Sequence, residues 1–321
     1  MDTKLLGRTG MKVSPLCFGS MSFGGDADEA TSADLYKAVR DAGINFIDCA
    51  NAYQTGKAEE ILGGLMAHER DELVVTTKVH GPMGPGPNDR GLSRRHITQA
   101  VEASLRRLKT DRVEVLFIHK WEDEPPMDEQ LRSIEDLVRS GKVLHMGVSN
   151  WAGWQIAKGL GLQTLNGWSR IDVIQPMYSL VKRQAEVEIL PVAQDEGLGV
   201  ITYSPVGGGL LSGKYFAGVN EGRLVENDRY AERYGDPVQR ATAEAFSAYA
   251  KGTGVHAVTL AVSWVAGHPG VTCPIIGARS VEQLRPSLDA LSYQMSAEMR
   301  AEISALGPTP PPATDRLEEA G

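Results

Sequence analysis

Four polar residues in this 321-residue chain stand at the ends of apolar runs or just beyond one. Asp48 closes Ile44-Asn45-Phe46-Ile47, and Tyr53 follows in the loop Cys49-Ala50-Asn51-Ala52. Lys78 closes Leu73-Val74-Val75-Thr76-Thr77, and His119 closes Val113-Glu114-Val115-Leu116-Phe117-Ile118. A carboxylate, a phenol, an ammonium and an imidazole in one pocket could deliver a proton to an oxygen. A phenol titrates near ~10 in water, and an adjacent ammonium lowers that value. A lowering of about two or three, at ~1.4 kcal/mol for each, would bring Tyr53 into useful acid range. Asp48 would keep Lys78 charged and oriented, and a neutral His119 would direct a substrate carbonyl. Taken singly, each has an ordinary reading: a loop cap, a core tyrosine, a snorkelling lysine, a satisfied buried histidine. The joint reading depends on whether the fold brings the four together.

Strand-like runs at 16–19, 44–48, 73–77, 113–118, 143–148, 171–175, 198–203 and 271–276 are nearly continuous in apolar residues, as strands buried on both faces are. Helical periodicity fills the intervals. In 93–109, Ile97, Val101, Ser104, Leu105 and Leu108 share a stripe; in 128–140, Leu131, Ile134, Leu137 and Val138 do. Thr31 followed by Asp34 suggests a capped helix start at 31, and Gly43 its stop. Eight such units fit a closed (β/α)8 TIM barrel of one domain, residues 1–306, in which the ends of the strands share one face. Neighbouring strands lie about 4.8 Å apart, so the four side chains would converge. A doubly wound open sheet would show a G-x-G-x-x-G turn after an early strand, and the sequence has none. Residues 5–13 read as an N-terminal hairpin. A long insertion, 204–270, follows the seventh strand, with helices expected near 237–251 and 255–267; loops of this length are usually lids or binding loops. Residues 307–321 form a Pro-rich, then acidic tail, expected to be poorly ordered.

The net charge of -8 disfavours nucleic acid and anionic membranes as partners. The cluster Arg94, Arg95, Arg106, Arg107, Lys109 and Arg112 lacks interleaved aromatics and reads as a solvated face. Three widely spaced cysteines support neither a disulfide framework nor a metal site. No apolar leader or long apolar span is present, so a soluble, cytoplasmic protein is expected.

With these pieces in order, the chain resembles the aldo-keto reductase family of NAD(P)H-dependent barrels over residues 3–300. The resemblance rests on Asp48-Cys49-Ala50-Asn51-Ala52-Tyr53, Thr77-Lys78, Ile118-His119, Gly147-Val148-Ser149-Asn150, Tyr203-Ser204-Pro205 through Gly213-Lys214, and Ile275-Ile276-Gly277-Ala278-Arg279-Ser280 with Gln283. It implies that Asp48, Tyr53, Lys78 and His119 are a catalytic tetrad for reversible reduction of an aldehyde or ketone. It implies that Ser149, Asn150 and Gln175 hold the nicotinamide carboxamide, that Tyr203 stacks on its ring, and that Ser20 and Met21 line the cofactor nearby. Ser204, Leu210, Ser212 and Lys214 would strap the pyrophosphate. Arg279, with Gly277, Ser280 and Gln283 beside it, would take a 2′-phosphate, favouring NADPH; a guanidinium suits that group. Ser287 stands where the family often has asparagine. Phe23, Trp121 and Trp151 lie next to these positions and are candidate walls for a small-molecule carbonyl substrate. The substrate itself, the direction of reaction and a homo-oligomeric state are left open.

Three rival readings remain. Gly208 to Lys214 matches most of a P-loop, but Tyr215 stands where the Mg²⁺-binding hydroxyl belongs. Lys78 could form a Schiff base, which needs a neutral amine that Asp48 opposes. Some relatives of such reductases serve as cofactor-carrying, redox-sensing channel subunits with little turnover.

Overall fold

Residues 2–316 and 318 are described by the computed structural model. Strands β1 (Lys4–Leu5) and β2 (Lys12–Val13) form an antiparallel hairpin. The barrel strands follow: β3 (Cys17–Gly19), β4 (Phe46–Asp48), β5 (Val74–Val79), β6 (Val113–Ile118), β7 (Val143–Ser149), β8 (Ile171–Gln175), β9 (Gly199–Thr202) and β10 (Cys273–Ile276). They are parallel and ordered as in the chain, and β10 closes on β3. This is the expected (β/α)8 barrel.

Period-two alternation divides each strand between two cores. Phe46, Val74, Val115, Phe117 and Val173 point into the lumen, where they pack with Ile201 and Cys273. Ile47, Val75, Leu116, Ile118 and Ile174 face outward and pack under the helices. Leu6 and Val13, from the hairpin, belong to the lumen cluster and plug its lower end. Gly7 makes this possible: its φ is +55, and a Cβ there would lie 2.3 Å from the Gly199 backbone nitrogen. Gly147 has a comparable steric role at mid-barrel. A Cβ there would come within 2.5 Å of the Phe117 ring, so only glycine leaves β6 room for that phenyl.

The outer layer begins with α1 (Glu29–Asp41), α2 (Lys57–Leu65), α3 (Arg94–Leu108), α4 (Met127–Arg139), α5 (Gly153–Asn166) and α6 (Ile189–Asp195). The predicted stripe of α3 is buried along its length, as are Leu131, Ile134 and Leu137 of α4. Helix α1 starts earlier than predicted, because the Asp28 carboxylate accepts from the Thr31 N–H and caps it there. Three of the six residues of the basic cluster around α3 are ion-paired: Arg94 with Glu129 and Asp136, Arg107 with Glu59, Arg112 with Asp71.

Between β9 and β10 the chain forms two short helical turns, then α7 (Arg223–Glu226), α8 (Asp228–Arg233), α9 (Pro237–Thr253) and α10 (Ala257–Ala266). The last two are the helices expected there. The P-loop-like stretch is a 3-10 run, Gly207–Ser212, and not a strand-to-helix turn. Helices α11 (Val281–Leu288) and α12 (Ala297–Ser304) complete the wall. Leu306 packs on the outer core, and Arg183 donates to the Pro308 carbonyl. Of the Pro-rich tail, Leu317, Glu319, Ala320 and Gly321 lie outside the described residues. Among the described residues no helix is long and apolar enough to cross a membrane.

Candidate active site

Asp48 is the last residue of β4, and register places it beside Thr76 of β5. Strand β5 runs on through Val79, so Lys78 sits within the strand and not after it. Alternation then sends Val74, Thr76 and Lys78 to the same side, toward the lumen. The Lys78 side chain is fully buried, and its Nζ lies 2.6 Å from Asp48 Oδ2. The same ammonium donates to the Cys49 carbonyl at 2.8 Å and to Tyr53 Oη at 3.1 Å. Its three hydrogens therefore all have acceptors. Because Tyr53 Oη accepts from Lys78, its own hydrogen is free to point elsewhere.

Tyr53 opens a tight turn, Tyr53–Gly56, in which Gln54 and Thr55 have φ of 49 and 51. Left-handed backbone at a residue with a Cβ costs about 1–2 kcal/mol. These two residues reverse the chain just after Tyr53, whose phenol oxygen is held by Lys78. His119 follows β6 directly, and its ring centroid is 6.0 Å from that of Tyr53, edge to face. The four residues of the expected tetrad thus come together.

Burial pushes the Tyr53 phenol up to about 12; Lys78 pulls it down, and Asp48 opposes that pull. The acidification expected from the sequence is therefore outweighed, and the phenol is firmly protonated. For Lys78, burial favours the neutral amine, but Asp48 and Tyr53 prevail and raise the ammonium above the ordinary lysine range. Burial, with the charges of Lys78 and His80, holds His119 down at about 3, so its imidazole is neutral. The cluster can donate a hydrogen from Tyr53 and from His119 toward one oxygen. It offers no free amine at Lys78.

The residues expected to hold a cofactor occupy the same rim. Ser149 and Gln175 end β7 and β8 side by side. Asn150 has φ of 58 and is cross-linked three ways: its Nδ2 donates to the His119 carbonyl and to Ser149 Oγ, and its Oδ1 accepts from Tyr203 Oη at 2.6 Å. Ser20 is buried and commits its hydroxyl to the Asp48 carbonyl, while neighbouring Met21 is half-buried. Leu210 packs its side chain in the core, whereas Ser204, Ser212 and Lys214 are half-buried. Ser280 caps α11, Gln283 accepts from the Arg279 N–H, and Gly277 is exposed beside them. Ser287 is buried on the inner face of α11. The Arg279 guanidinium is held at 3.0 Å by both Asp26 and Glu226. It links the β3–α1 loop, the insertion and the end of β10.

Comparison with known proteins bears on the family of the whole chain. The model of the Aldo/keto reductase family matches residues 15–308. The chain belongs to the aldo-keto reductase family. It is 39% identical to the "Uncharacterized oxidoreductase YrpG" of Bacillus subtilis (strain 168), over 97% of each chain. It is 34% identical to a "Probable voltage-gated potassium channel subunit beta" of Arabidopsis thaliana, over 91% of each. It is 33% identical to the "Norsolorinic acid reductase" of Aspergillus flavus (strain ATCC 200026 / FGSC A1120 / IAM 13836 / NRRL 3357 / JCM 12722 / SRRC 167), over 93% of this chain and 79% of that one.

In this aldo-keto reductase the three candidate pocket aromatics do not behave alike. Phe23 is fully buried against Phe18, and Trp151 is 3% exposed with its ring edge against Gly159 of α5. Both fill the layer beneath the helices and present almost no wall. Trp121 is half-buried, packs edge-on to Trp151, and anchors its Nε1 on Asp123. Trp154, 57% exposed and packed on Trp121, is an aromatic beside them that is absent from the sequence-based expectations. Its position three residues beyond Trp151, in the first turn of the helix after β7, was the available signal. Thr76 is absent from those expectations too, although it lies two residues before Lys78 on the same strand face.

Proposed function

We propose that this aldo-keto reductase is an NADPH-dependent carbonyl reductase that converts an aldehyde or ketone to an alcohol, reversibly. The observation that carries the reading is the hydrogen bond from the buried Lys78 ammonium to Tyr53 Oη. It leaves the phenolic hydrogen available to a substrate oxygen at the barrel mouth. The side chains of the rim suit a nicotinamide dinucleotide: amides and hydroxyls at Ser149, Asn150 and Gln175, an aromatic at Tyr203, and cations at Lys214 and Arg279. When bound, NADPH supplies the hydride to the carbonyl carbon.

The residues of this chain supply the rest. His119, neutral, donates an N–H to the carbonyl oxygen and fixes its direction. Tyr53 gives its proton to the same oxygen as negative charge develops there, and Lys78 stabilises the phenolate left behind. Asp48 keeps Lys78 charged and seated. Ser204, Ser212 and Lys214, with the backbone at Leu210, would strap the pyrophosphate. Arg279 would take the 2′-phosphate after releasing at least one of its carboxylates, with Gly277, Ser280 and Gln283 around it. The substrate is a small carbonyl compound, and the protein works in the cytoplasm.

Relatives named as channel subunits favour a second reading, a cofactor-binding redox sensor with little turnover. NADPH oxidation on a panel of aldehydes, ketosugars and ketosteroids separates the two. Rapid turnover of any member supports the reductase. Tight NADPH binding with negligible turnover across the panel supports the sensor and overturns the first reading.

A further inference from the structure

We infer that Thr76 is a positioning residue for proton delivery: its hydroxyl, with the Gln175 amide, fixes the Asp48 carboxylate so that Lys78 stays on Tyr53. This inference rests on the reductase reading for its link to catalysis, but its geometric content stands apart from it. The two Asp48 oxygens have divided partners. Oδ2 accepts from Lys78 Nζ. Oδ1 accepts from Thr76 Oγ1 at 2.7 Å and from Gln175 Nε2 at 2.8 Å. The backbone is clamped too, since Ser20 donates to the Asp48 carbonyl and Cys49 N–H to the Thr76 carbonyl.

Thr76 is fully buried, and its hydroxyl donates to the carboxylate of Asp48. Two neutral donors on Oδ1 hold the carboxylate plane against rotation and leave Oδ2 to the ammonium. Lys78 then meets its three acceptors in one arrangement, the third being Tyr53. Without Thr76, Oδ1 keeps only the Gln175 amide, the carboxylate is freer to turn, and the contact between Lys78 and Tyr53 loosens. A shift of an ångström in such a contact can cost up to about 100-fold in rate. Thr77, the next residue, illustrates the opposite role: it points outward, bonds Glu59 of α2, and takes no part in the chain of contacts.

The test uses Thr76→Val and Thr76→Ser, each alone and in an Asp48→Asn background. NADPH oxidation with 4-nitrobenzaldehyde is read alongside the ¹⁵N signal of the Lys78 ammonium, assigned by its absence in Lys78→Arg. Thr76→Val should lower kcat about 10-fold and change the Kd for NADPH by less than about twofold. Thr76→Ser should restore the rate, and Thr76→Val should add nothing once Asp48 is Asn. The Lys78 signal should be sharp in the native protein and in Thr76→Ser, and broadened in Thr76→Val. An unchanged kcat, or the same loss repeated in the Asp48→Asn background, overturns the inference. If the native protein turns over no carbonyl, the reductase reading fails instead, and the Lys78 signal alone decides: sharp in Thr76→Val refutes the positioning role, broadened supports it.

Discussion

Lys78 Nζ donates to Tyr53 Oη at 3.1 Å from a position with no solvent exposure. This contact fixes the direction in which each group can act. The ammonium has no hydrogen left for another partner, and the phenol has its hydrogen left over. Tyr53 is thereby a donor toward the barrel mouth, and Lys78 a fixed charge behind it.

That arrangement weighs against Schiff-base chemistry at Lys78. Borohydride added with a carbonyl substrate is expected to leave Lys78 unmodified by mass spectrometry, because the amine stays charged and enclosed. A stable adduct at Lys78 would contradict the assignment.

Removing the charge of Asp48 should be costly in stability as well as rate. Asp48→Asn leaves a buried ammonium without its counter-ion, and breaking a buried pair in this way costs about 3–5 kcal/mol. The urea midpoint should fall accordingly while the m-value holds. A midpoint equal to that of the native protein would mean that the pair is not closed in solution.

His119 gives a pH dependence of definite sign. Its value is about 3 in the folded protein against an ordinary 6.5. The unfolded chain therefore binds a proton there that the folded one refuses between those values. Stability from this group is complete above about 6.5 and declines as pH falls toward about 3. His80, His96 and His268 are also lowered, chiefly by burial, and add in the same direction. Thermal denaturation followed from pH 7 to pH 4 should show a steeper loss for the native protein than for His119→Gln. In the reduction direction kcat/KM should have no inflection near the ordinary histidine value. A clear one would show that His119 titrates in the active protein.

Arg279 is expected to discriminate between cofactors only after giving up at least one of its carboxylates. Arg279→Ala should raise the Kd for NADPH much more than that for NADH. Glu226→Gln should lower the Kd for NADPH, because it removes a competitor for the guanidinium, and leave NADH nearly unchanged. These pairs are partly exposed, so added salt should shrink the Glu226 effect. Equal effects on the two cofactors would remove the 2′-phosphate role.

Much of this architecture is written in local pattern. Buried parallel strands need apolar side chains on both faces, so runs such as 113–118 are visible without coordinates. Polar residues at the ends of such runs, or just beyond one, stand out for the same reason, which is why Asp48, Tyr53, Lys78 and His119 could be named together. Long-range effects were less legible. The acidity of Tyr53 depends on how far burial offsets one ammonium, and only the packed structure decides that balance. Arg279 meets Asp26 of the β3–α1 loop and Glu226 of the insertion, both remote in the chain, and no local pattern announces either pairing. Phe23 and Trp151 look like pocket walls beside the candidate catalytic positions, yet both are buried in the outer core. Thr76 reads as an ordinary strand threonine until the register sets it beside Asp48.

The central claim is that Tyr53 delivers the proton while leaving cofactor binding to others. Tyr53→Phe keeps the ring and removes the hydroxyl, so NADPH oxidation with 4-nitrobenzaldehyde and NADPH binding should be measured on the same preparation. The expected result is a kcat lower by about 10²–10⁴-fold with the Kd for NADPH nearly unchanged. Native turnover in Tyr53→Phe, or loss of NADPH binding in step with activity, would contradict the account.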